Sequence, residues 1–355
     1  MAHSNQTEMQ IKIAGLLNDG KSDVALKRAV AAAKKYPANP IFPQMAGAAL
    51  LVKGNHSAAA PYFLKSYKIK PDHAEFQDNL ARSLIASGQI SRAETLLNKH
   101  AASRQGSANY HHLWALLYLN GDRFQQAVDA ANVALDLTNE HLGALLVRGK
   151  ALSRLQKAES ALQDFDTVLA GNPTDIDAAE GRGWELASLG RLDEAKKQYF
   201  DLVAIDPIHL RSLEMMSGMP GLTEQDLINL EVCLDDAEAI LAKNKGKRAP
   251  SLGFSRYEVA MRRGQTAEAM TQLSRFKAQL ARTHPFDDAK AERKCEAILA
   301  MPDLVNKSEP EEAMPRPIFV VGLPRSGTTL IEMTISAHAA VEGCGELPFI
   351  GRWVA

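Results

Sequence analysis

An alanine recurs at a fixed interval of 34 residues through six successive units of the chain. Two further positions keep the same interval, one mostly small and the other large. The alanines are Ala25, Ala59, Ala93, Ala127, Ala161 and Ala195; the mostly small position holds Ile13, Gly47, Ala81, Ala115, Gly149 and Gly183; the large position holds Leu16, Leu50, Leu84, Tyr118, Leu152 and Leu186. A fixed period of this length indicates a repeat architecture built from one supersecondary unit.

Each unit is predicted to be a helical hairpin. Small residues are needed where two helices cross closely, large residues fill the space between them, and proline stops the second helix from continuing. The prolines at the unit ends are Pro37, Pro71, Pro173 and Pro207. A chain reversal favours a residue with positive φ, and the glycines that occupy or adjoin the predicted turns are Gly20, Gly54, Gly88, Gly121 and Gly190.

This pattern resembles the tetratricopeptide repeat over residues 6–209, as six repeats of 34 residues. The resemblance implies a mainly α fold in which hairpins stack into an α-solenoid with a groove. In that family the first helix of each unit lines the groove, which would place six side chains there: Asp78, Arg82, His112, Lys150, Glu180 and Trp184. Two interpretations stay open, a surface that binds a peptide or protein partner and an ordinary solvated helix face.

The register breaks after Pro207, and residues 210–304 are predicted to add further helices. Thr223 and Asp226 form a Thr-x-x-Asp helix start ahead of leucines at helical spacing. The basic stretch KNKGKRAP then reads as a solvated loop, because clustered surface charges rarely signal more than solvation.

Another hairpin is predicted at about 250–283, as a seventh unit that is out of phase with the first six. Its Gly264 and Ala269 are five residues apart, as in most of the earlier units. A further helix is expected at 286–299. Residues 305–316 contain prolines and acids that discourage regular structure, and we interpret them as a linker.

Bulk composition limits the class of protein. A chain of 355 residues is long enough for two or three domains, since single cores stop growing near ~250–300 residues. A net charge of −1 gives no electrostatic reason to expect nucleic acid, and three distant cysteines suggest neither disulfides nor a metal site. The first residues show no basic segment followed by an apolar run, and no stretch approaches ~18 consecutive apolar residues. We therefore expect a cytoplasmic chain that does not span a membrane.

The segment after Pro317 has the context of an anion-binding loop. IFVV is typical of a buried strand, GLPRSGTT follows, and the residues from Leu330 onward have helical spacing. In such a turn the loop amides and the helix dipole hold a phosphate-like anion. The glycines have the spacing of a nucleotide P-loop, but Thr328 stands where that loop needs lysine, which argues against ATP or GTP hydrolysis.

Residues 324–330, PRSGTTL, resemble the sulfotransferase family, whose members use 3′-phosphoadenosine 5′-phosphosulfate (PAPS) as sulfuryl donor. Within that family, the loop arginine is similar to the protein-tyrosine sulfotransferases and their tetratricopeptide-bearing bacterial relatives. The resemblance implies that residues 317–355 are the first strand-loop-helix of a P-loop-like α/β sulfotransferase domain that needs no metal. The residues that would hold PAPS are Gly322, Pro324, Arg325, Ser326, Gly327, Thr328 and Thr329.

Cys344-Gly345-Glu346 follows the loop helix, as in the tyrosine-sulfotransferase branch, where this glutamate is the general base. The resemblance therefore implies that Glu346 takes the proton of an acceptor hydroxyl, while Arg325 offsets charge on the leaving phosphate. An ordinary surface carboxylate is the alternative interpretation of Glu346. His338, where the family commonly has His-Pro, is interpreted as a helix-end residue.

The last 39 residues supply at most one strand and one or two helices of a domain that needs several such units. We therefore expect the sulfotransferase domain to be incomplete in this chain, and the 355 residues alone to show no turnover. Two functions stay open: the N-terminal portion of a sulfotransferase whose repeats bind a hydroxyl acceptor, such as protein tyrosine, or a non-catalytic interaction scaffold.

Overall fold

The computed structural model describes residues 2–243 and 250–283, with a few further positions between 285 and 335. Within 2–243 and 250–283 the regular secondary structure is helical. The helices of the first four hairpins are α1 (Ala2–Asn18), α2 (Ser22–Lys35), α3 (Ile41–Val52), α4 (His56–Ile69), α5 (Ala74–Ala86), α6 (Ile90–Lys99), α7 (Ala101–Arg104), α8 (Ala108–Asn120) and α9 (Phe124–Leu137). They are followed by α10 (Leu142–Arg154), α11 (Ala158–Gly171), α12 (Ile176–Ser188), α13 (Leu192–Ile205), α14 (Leu210–Gly218), α15 (Glu224–Lys243), α16 (Pro250–Arg262) and α17 (Thr266–Thr283).

These helices pack as consecutive hairpins. In each of the first six hairpins the first helix packs against its own second helix, and that second helix packs against the first helix of the next hairpin. Residues Met1–Gln279 thereby form one compact unit. The core runs along the stack as a series of apolar clusters. The structure is therefore the mainly α solenoid that the repeat predicts.

The recurring small residues lie where helices cross. All six of the 34-residue alanines are 0% exposed, as is Ala269 in the last hairpin. A Cβ built on Gly47 would come within 2.5 Å of the Phe63 ring, and one on Gly183 within 2.7 Å of the Tyr199 ring. Since real Cβ atoms do not approach a ring this closely, larger side chains are excluded by packing. The 34-residue period of the sequence therefore reflects the spacing of these close helix crossings.

The turn inside each of the first six hairpins contains one left-handed residue. It is a glycine in four hairpins, with φ from 69° to 75°, namely Gly20, Gly54, Gly88 and Gly190. In the two hairpins between them the same frame position holds Asp122, with φ 55°, and Gln156, with φ 59°. Gly121 has φ −93°, so it adjoins the left-handed residue and does not provide it.

The helix start predicted after the sixth repeat is confirmed. Thr223 Oγ1 accepts from the Asp226 backbone N–H at 3.2 Å, and Asp226 Oδ2 accepts from the Thr223 N–H at 2.9 Å. This reciprocal capping begins α15. The pair α14 and α15 lies between the sixth repeat and the hairpin of α16 and α17, and α14 packs directly on α16.

Several predicted segments lie mostly or wholly outside the described residues. They are the helix at 286–299, the linker at 305–316 and the strand-loop-helix after Pro317. None of the helices that the structure describes is long and apolar enough to cross a membrane.

Candidate functional site on the first helices

One side of the array is formed by the first helices of successive hairpins. Helix α5 packs against α8, α8 against α10, and α10 against α12. We call the surface contributed by α3, α5, α8, α10, α12 and α14 the first-helix face. Because every hairpin contributes the same helix, equivalent positions of the 34-residue frame recur along this face.

The structure places all six predicted groove residues on these helices. Asp78 and Arg82 lie on α5, His112 on α8, Lys150 on α10, and Glu180 and Trp184 on α12. They fall at two positions of the frame, four residues apart, which lie on the same side of a helix. The 34-residue frame therefore predicts on which helices these side chains lie.

Two of the six join neighbouring first helices through ion pairs. Lys150 Nζ on α10 lies 2.6 Å from Asp177 Oδ2 on α12. Glu180 Oε1 on α12 lies 2.6 Å from Arg211 Nε on α14, and Glu180 Oε2 lies 3.4 Å from His209 Nε2. Exposed pairs of this kind contribute only about 0–1 kcal/mol each, so their main effect is to leave this stretch of the face nearly neutral.

Asp78 is paired with an arginine from the same hairpin. Arg104, at the end of α7, donates from Nη2 to Asp78 Oδ1 at 2.8 Å and from Nη1 to Gln77 Oε1 at 2.8 Å. Both charged side chains are largely buried, so this pair belongs to the packing of the third hairpin. Arg82, one turn further along α5, is exposed and makes no ion pair with the residues that the structure describes.

His112 is the buried member of the set. Its side chain is 8% exposed, and its Nδ1 has no hydrogen-bond partner among the described residues. Burial, followed by the nearby charges of His141 and Arg82, lowers the pKa of His112 to about 3. The imidazole is therefore neutral near pH 7. Gly143 on α10 faces the ring, since a Cβ there would lie 3.0 Å from His112 Cε1.

Trp184 is a large apolar side chain that remains 44% exposed on α12. The guanidinium carbon of Arg211 lies 5.8 Å from the centre of its ring, within cation–π range. Since Arg211 also pairs with Glu180, one arginine connects the aromatic ring to the neighbouring ion pair. Exposed tryptophan and arginine are the residue types most enriched in the energetic centres of protein interfaces.

Beneath this patch two titratable groups are buried. The hydroxyl of Tyr199 has no partner among the described residues, and burial, with a further contribution from Glu180, raises its pKa to about 12. Burial also raises the pKa of Glu185, which is 3% exposed. The Tyr199 hydroxyl therefore stays protonated near pH 7 and adds no charge to the face.

Sequence reasoning missed Asp177 and Arg211, which complete the ion pairs. They are 34 residues apart, at a frame position three residues before that of Glu180. The same frame position holds Glu75, whose Oε1 accepts from Gln44 Nε2 on the preceding first helix at 3.4 Å. The regular frame is thus a signal that could have found these partners.

The residues predicted to hold PAPS and to act on it lie outside the described residues. They are Gly322, Pro324, Arg325, Ser326, Gly327, Thr328, Thr329 and Glu346. Their roles remain predictions from the sequence.

The chain carries tetratricopeptide repeats. Residues 15–74, 50–117 and 146–207 match tetratricopeptide repeat families, in agreement with the stacked hairpins. A separate segment, residues 317–355, matches the Sulfotransferase family.

Curated relatives match over the repeats. An uncharacterized protein of Aquifex aeolicus (strain VF5) is 31% identical over 172 residues, which are 48% of this chain and 22% of that protein. The DnaJ homolog subfamily C member 3 of Gallus gallus is 27% identical over 212 residues, 58% of this chain and 39% of the relative. Anaphase-promoting complex subunit 7 of Homo sapiens is 26% identical over 193 residues, 54% and 34% respectively. The chain thus spans well under half the length of these relatives.

Two solved structures resemble part of this chain. The APC/C hetero-tetramer Cut9-Hcn1 matches with a TM-score of 0.52 and 15% identity, over 67% of this chain and 49% of that chain. TTC0263, a thermophilic tetratricopeptide protein of Thermus thermophilus, matches with a TM-score of 0.45 and 22% identity, over 49% of this chain and 95% of that chain. Likeness at these identities concerns the fold alone.

Proposed function

We propose that this protein binds a protein partner along the first-helix face and carries, in residues 317–355, the donor-binding loop of a sulfotransferase. The first half of the proposal is supported by the tetratricopeptide array, a fold that serves protein–protein interaction. The second half is carried by one observation, the match of residues 317–355 to the Sulfotransferase family. The same segment contains the PRSGTTL loop.

The partner that best fits the face is an extended peptide segment with an apolar or aromatic anchor. Trp184 offers an exposed ring for such an anchor. The pairs Lys150–Asp177 and Glu180–Arg211 beside it balance their charges, so the face has no strong preference for an acidic or a basic partner. Polar groups of both signs around an aromatic centre resemble the arrangement of protein interfaces, in which the rim is polar.

Sulfuryl transfer requires few protein groups. The bond between sulfur and the phosphate oxygen of PAPS breaks while a bond forms between sulfur and the acceptor oxygen. Glu346 would take the proton that the acceptor hydroxyl loses, and Arg325 with the loop amides would offset the charge left on the departing phosphate. Thr328 and Thr329 would add hydroxyl donors to the same anion.

The acceptor that we propose is a tyrosine hydroxyl in the partner held by the repeats. The support is the combination of Arg325 in the loop with Cys344-Gly345-Glu346 after it, which is similar to the tyrosine-sulfotransferase branch. The array would then raise the local concentration of the acceptor, because tethering converts a bimolecular encounter into an intramolecular one.

Calorimetric titration of the full-length protein with 3′,5′-adenosine bisphosphate and with ATP tests the donor-binding half. We expect the bisphosphate to bind more tightly than ATP. Arg325→Ala should weaken the bisphosphate by about tenfold or more, since a charged hydrogen bond contributes about 1.5–3 kcal/mol. The matched control is Arg92→Ala, which removes an exposed arginine from α6 and should leave binding unchanged.

Each other outcome contradicts the donor-binding proposal in a distinct way. Preference for ATP would make the loop a nucleotide site. Binding of neither compound would leave the chain as an interaction scaffold without a donor site. Equal binding by wild type and Arg325→Ala would show that the loop arginine does not contribute to donor binding.

A further inference from the structure

The third hairpin has a polar network where later hairpins have an apolar core. His100, the residue after α6, occupies the frame position of Val168 and Leu202, which are almost fully buried. Both of its ring nitrogens are engaged: Nε2 lies 2.9 Å from Tyr67 Oη, and Nδ1 lies 3.1 Å from Gln77 Nε2. The ring thus joins α4 to α5 through hydrogen bonds.

The network assigns the tautomer of His100. Gln77 Nε2 donates to the Pro71 carbonyl at 2.7 Å, and Gln77 Oε1 accepts from Arg104 Nη1 at 2.8 Å. These two contacts orient the amide so that its nitrogen faces His100 Nδ1, which must therefore accept. The neutral ring carries its proton on Nε2 and donates it to Tyr67 Oη.

A second proton on the ring conflicts with this arrangement. Protonated imidazole donates from both nitrogens, so Nδ1–H of His100 would point at the N–H of Gln77. The Gln77 amide cannot turn over in response, because its nitrogen would then face the guanidinium of Arg104 and its oxygen would face the carbonyl of Pro71. Protonation therefore forces the hydrogen bond between His100 and Gln77 to break.

Burial and the nearby cations also disfavour a second proton on His100. Burial, then the positive charge of Lys99, lowers the pKa of His100; Asp72 opposes this shift, and Arg104 adds to it. Lys99 Nζ also donates to Tyr67 Oη at 3.1 Å, which holds it near the ring. The unfolded chain binds this proton more tightly than the folded one, so stability falls as pH drops below the ordinary histidine pKa near ~6.5.

Arg104 connects this network to the first-helix face. One of its nitrogens donates to Gln77, which contacts His100, and another donates to Asp78, which lies on the face. When Gln77 moves, Arg104 loses one of its hydrogen-bond partners and keeps Asp78 and Ser107. This chain of contacts links Asp78 to His100 through Gln77 and Arg104.

We propose that protonation of His100 opens the junction between α5 and the α6–α7 segment and loosens the contact of Arg104 with Asp78, so that mildly acidic conditions change the first-helix face. The opening itself requires no partner. Only its consequence for partner binding rests on the proposed function.

Hydrogen exchange measured by mass spectrometry at pH 7.0 and pH 5.0 tests the opening without a partner. After correction for the intrinsic exchange rate, protection of residues 66–104 should fall at least tenfold at pH 5.0, while protection of 142–205 should change little. In His100→Asn the amide oxygen replaces the Nδ1 acceptor and takes no proton, so this fall should disappear. The control His73→Asn removes an exposed histidine and should behave as wild type.

Two results would overturn the proposal: unchanged protection of residues 66–104 in the wild type, or an equal fall in His100→Asn. NMR titration of the wild-type histidines gives a second readout that needs no variant. The His100 ring should titrate below the ordinary histidine pKa near ~6.5, and a His100 pKa at or above that value would contradict the proposal. If residues 66–104 open at pH 5.0 and the affinity for a partner stays the same, the proposed binding face is contradicted.

Discussion

Replacing Arg148 by alanine is expected to destabilise the array by about 3–5 kcal/mol, because a buried carboxylate loses its partner. Arg148 donates to both oxygens of Asp164, from Nε at 2.8 Å and from Nη2 at 2.7 Å, and from Nη1 to Asn132 Oδ1 at 2.8 Å. Asp164 is 4% exposed, so its carboxylate has little access to water in the native packing. Urea unfolding followed by circular dichroism measures the loss.

The chain itself suggests the rescue for this variant. In the third hairpin the equivalent frame positions hold Leu80 and Leu96, both buried. Replacing Arg148 and Asp164 together by leucine should therefore recover most of the stability, since a packed apolar pair often matches or exceeds a buried ion pair. A double variant as unstable as Arg148→Ala would contradict this explanation.

Arg182 provides the matched single-residue control. One hairpin later it makes a similar set of hydrogen bonds. It donates to Asp166 Oδ1 at 2.6 Å and to Gln198 Oε1 at 2.8 Å. The side chain of Asp166 is 51% exposed, so solvent can take over when the arginine is lost. Arg182→Ala should therefore cost only about 1 kcal/mol or less. Equal losses for the two arginine variants would show that burial of the carboxylate is not the cause.

Gly181→Ala is expected to destabilise the array by about 1–3 kcal/mol through overpacking. The added Cβ would lie 2.5 Å from Phe165 Cζ, and the ring, 1% exposed, also lies against Gly149, where a Cβ would be 2.9 Å away. The ring therefore has no free direction in which to move. A lowered urea midpoint is the expected observation.

Gly15→Ala is the matched control, with the opposite expected sign. Gly15 lies within α1, is exposed, and has no atom within 4 Å of a built Cβ. Alanine there should stabilise by about 0.5–1 kcal/mol, because glycine loses more backbone entropy in a helix. If both substitutions raised the midpoint, helix propensity and not ring contact would govern these positions.

Much of the fold could be predicted from the sequence because the helix crossings permit only small residues. The buried alanines and the glycines beneath Phe63, Phe165 and Tyr199 are visible in the sequence as a period. The left-handed turn residue was harder to predict at the fourth hairpin. There, a glycine stands one residue before the frame position, and Asp122 adopts the left-handed conformation despite its cost of about 1–2 kcal/mol.

The sequence predicted where the candidate site lies, but only some of the contacts that its side chains make. The frame placed Lys150 and Glu180 on first helices, as the structure does. It did not reveal that Asp177 and Arg211 would neutralise them, because such contacts depend on the rotation between successive hairpins. Nor does a side chain's identity show its burial: the pKa of His112 falls to about 3 through packing that only the structure provides.

The central claim, that the array binds a protein through its first-helix face, is tested most directly by selection from a displayed random-peptide library. Selected peptides are then measured by fluorescence anisotropy against wild type, Trp184→Ala, and Val133→Ala, which alters an exposed apolar residue on α9. We predict at least tenfold weaker binding to Trp184→Ala, because an anchoring tryptophan contributes about 2 kcal/mol or more, and unchanged binding to Val133→Ala. Equal affinity for all three proteins, or no enriched peptide, would contradict the claim.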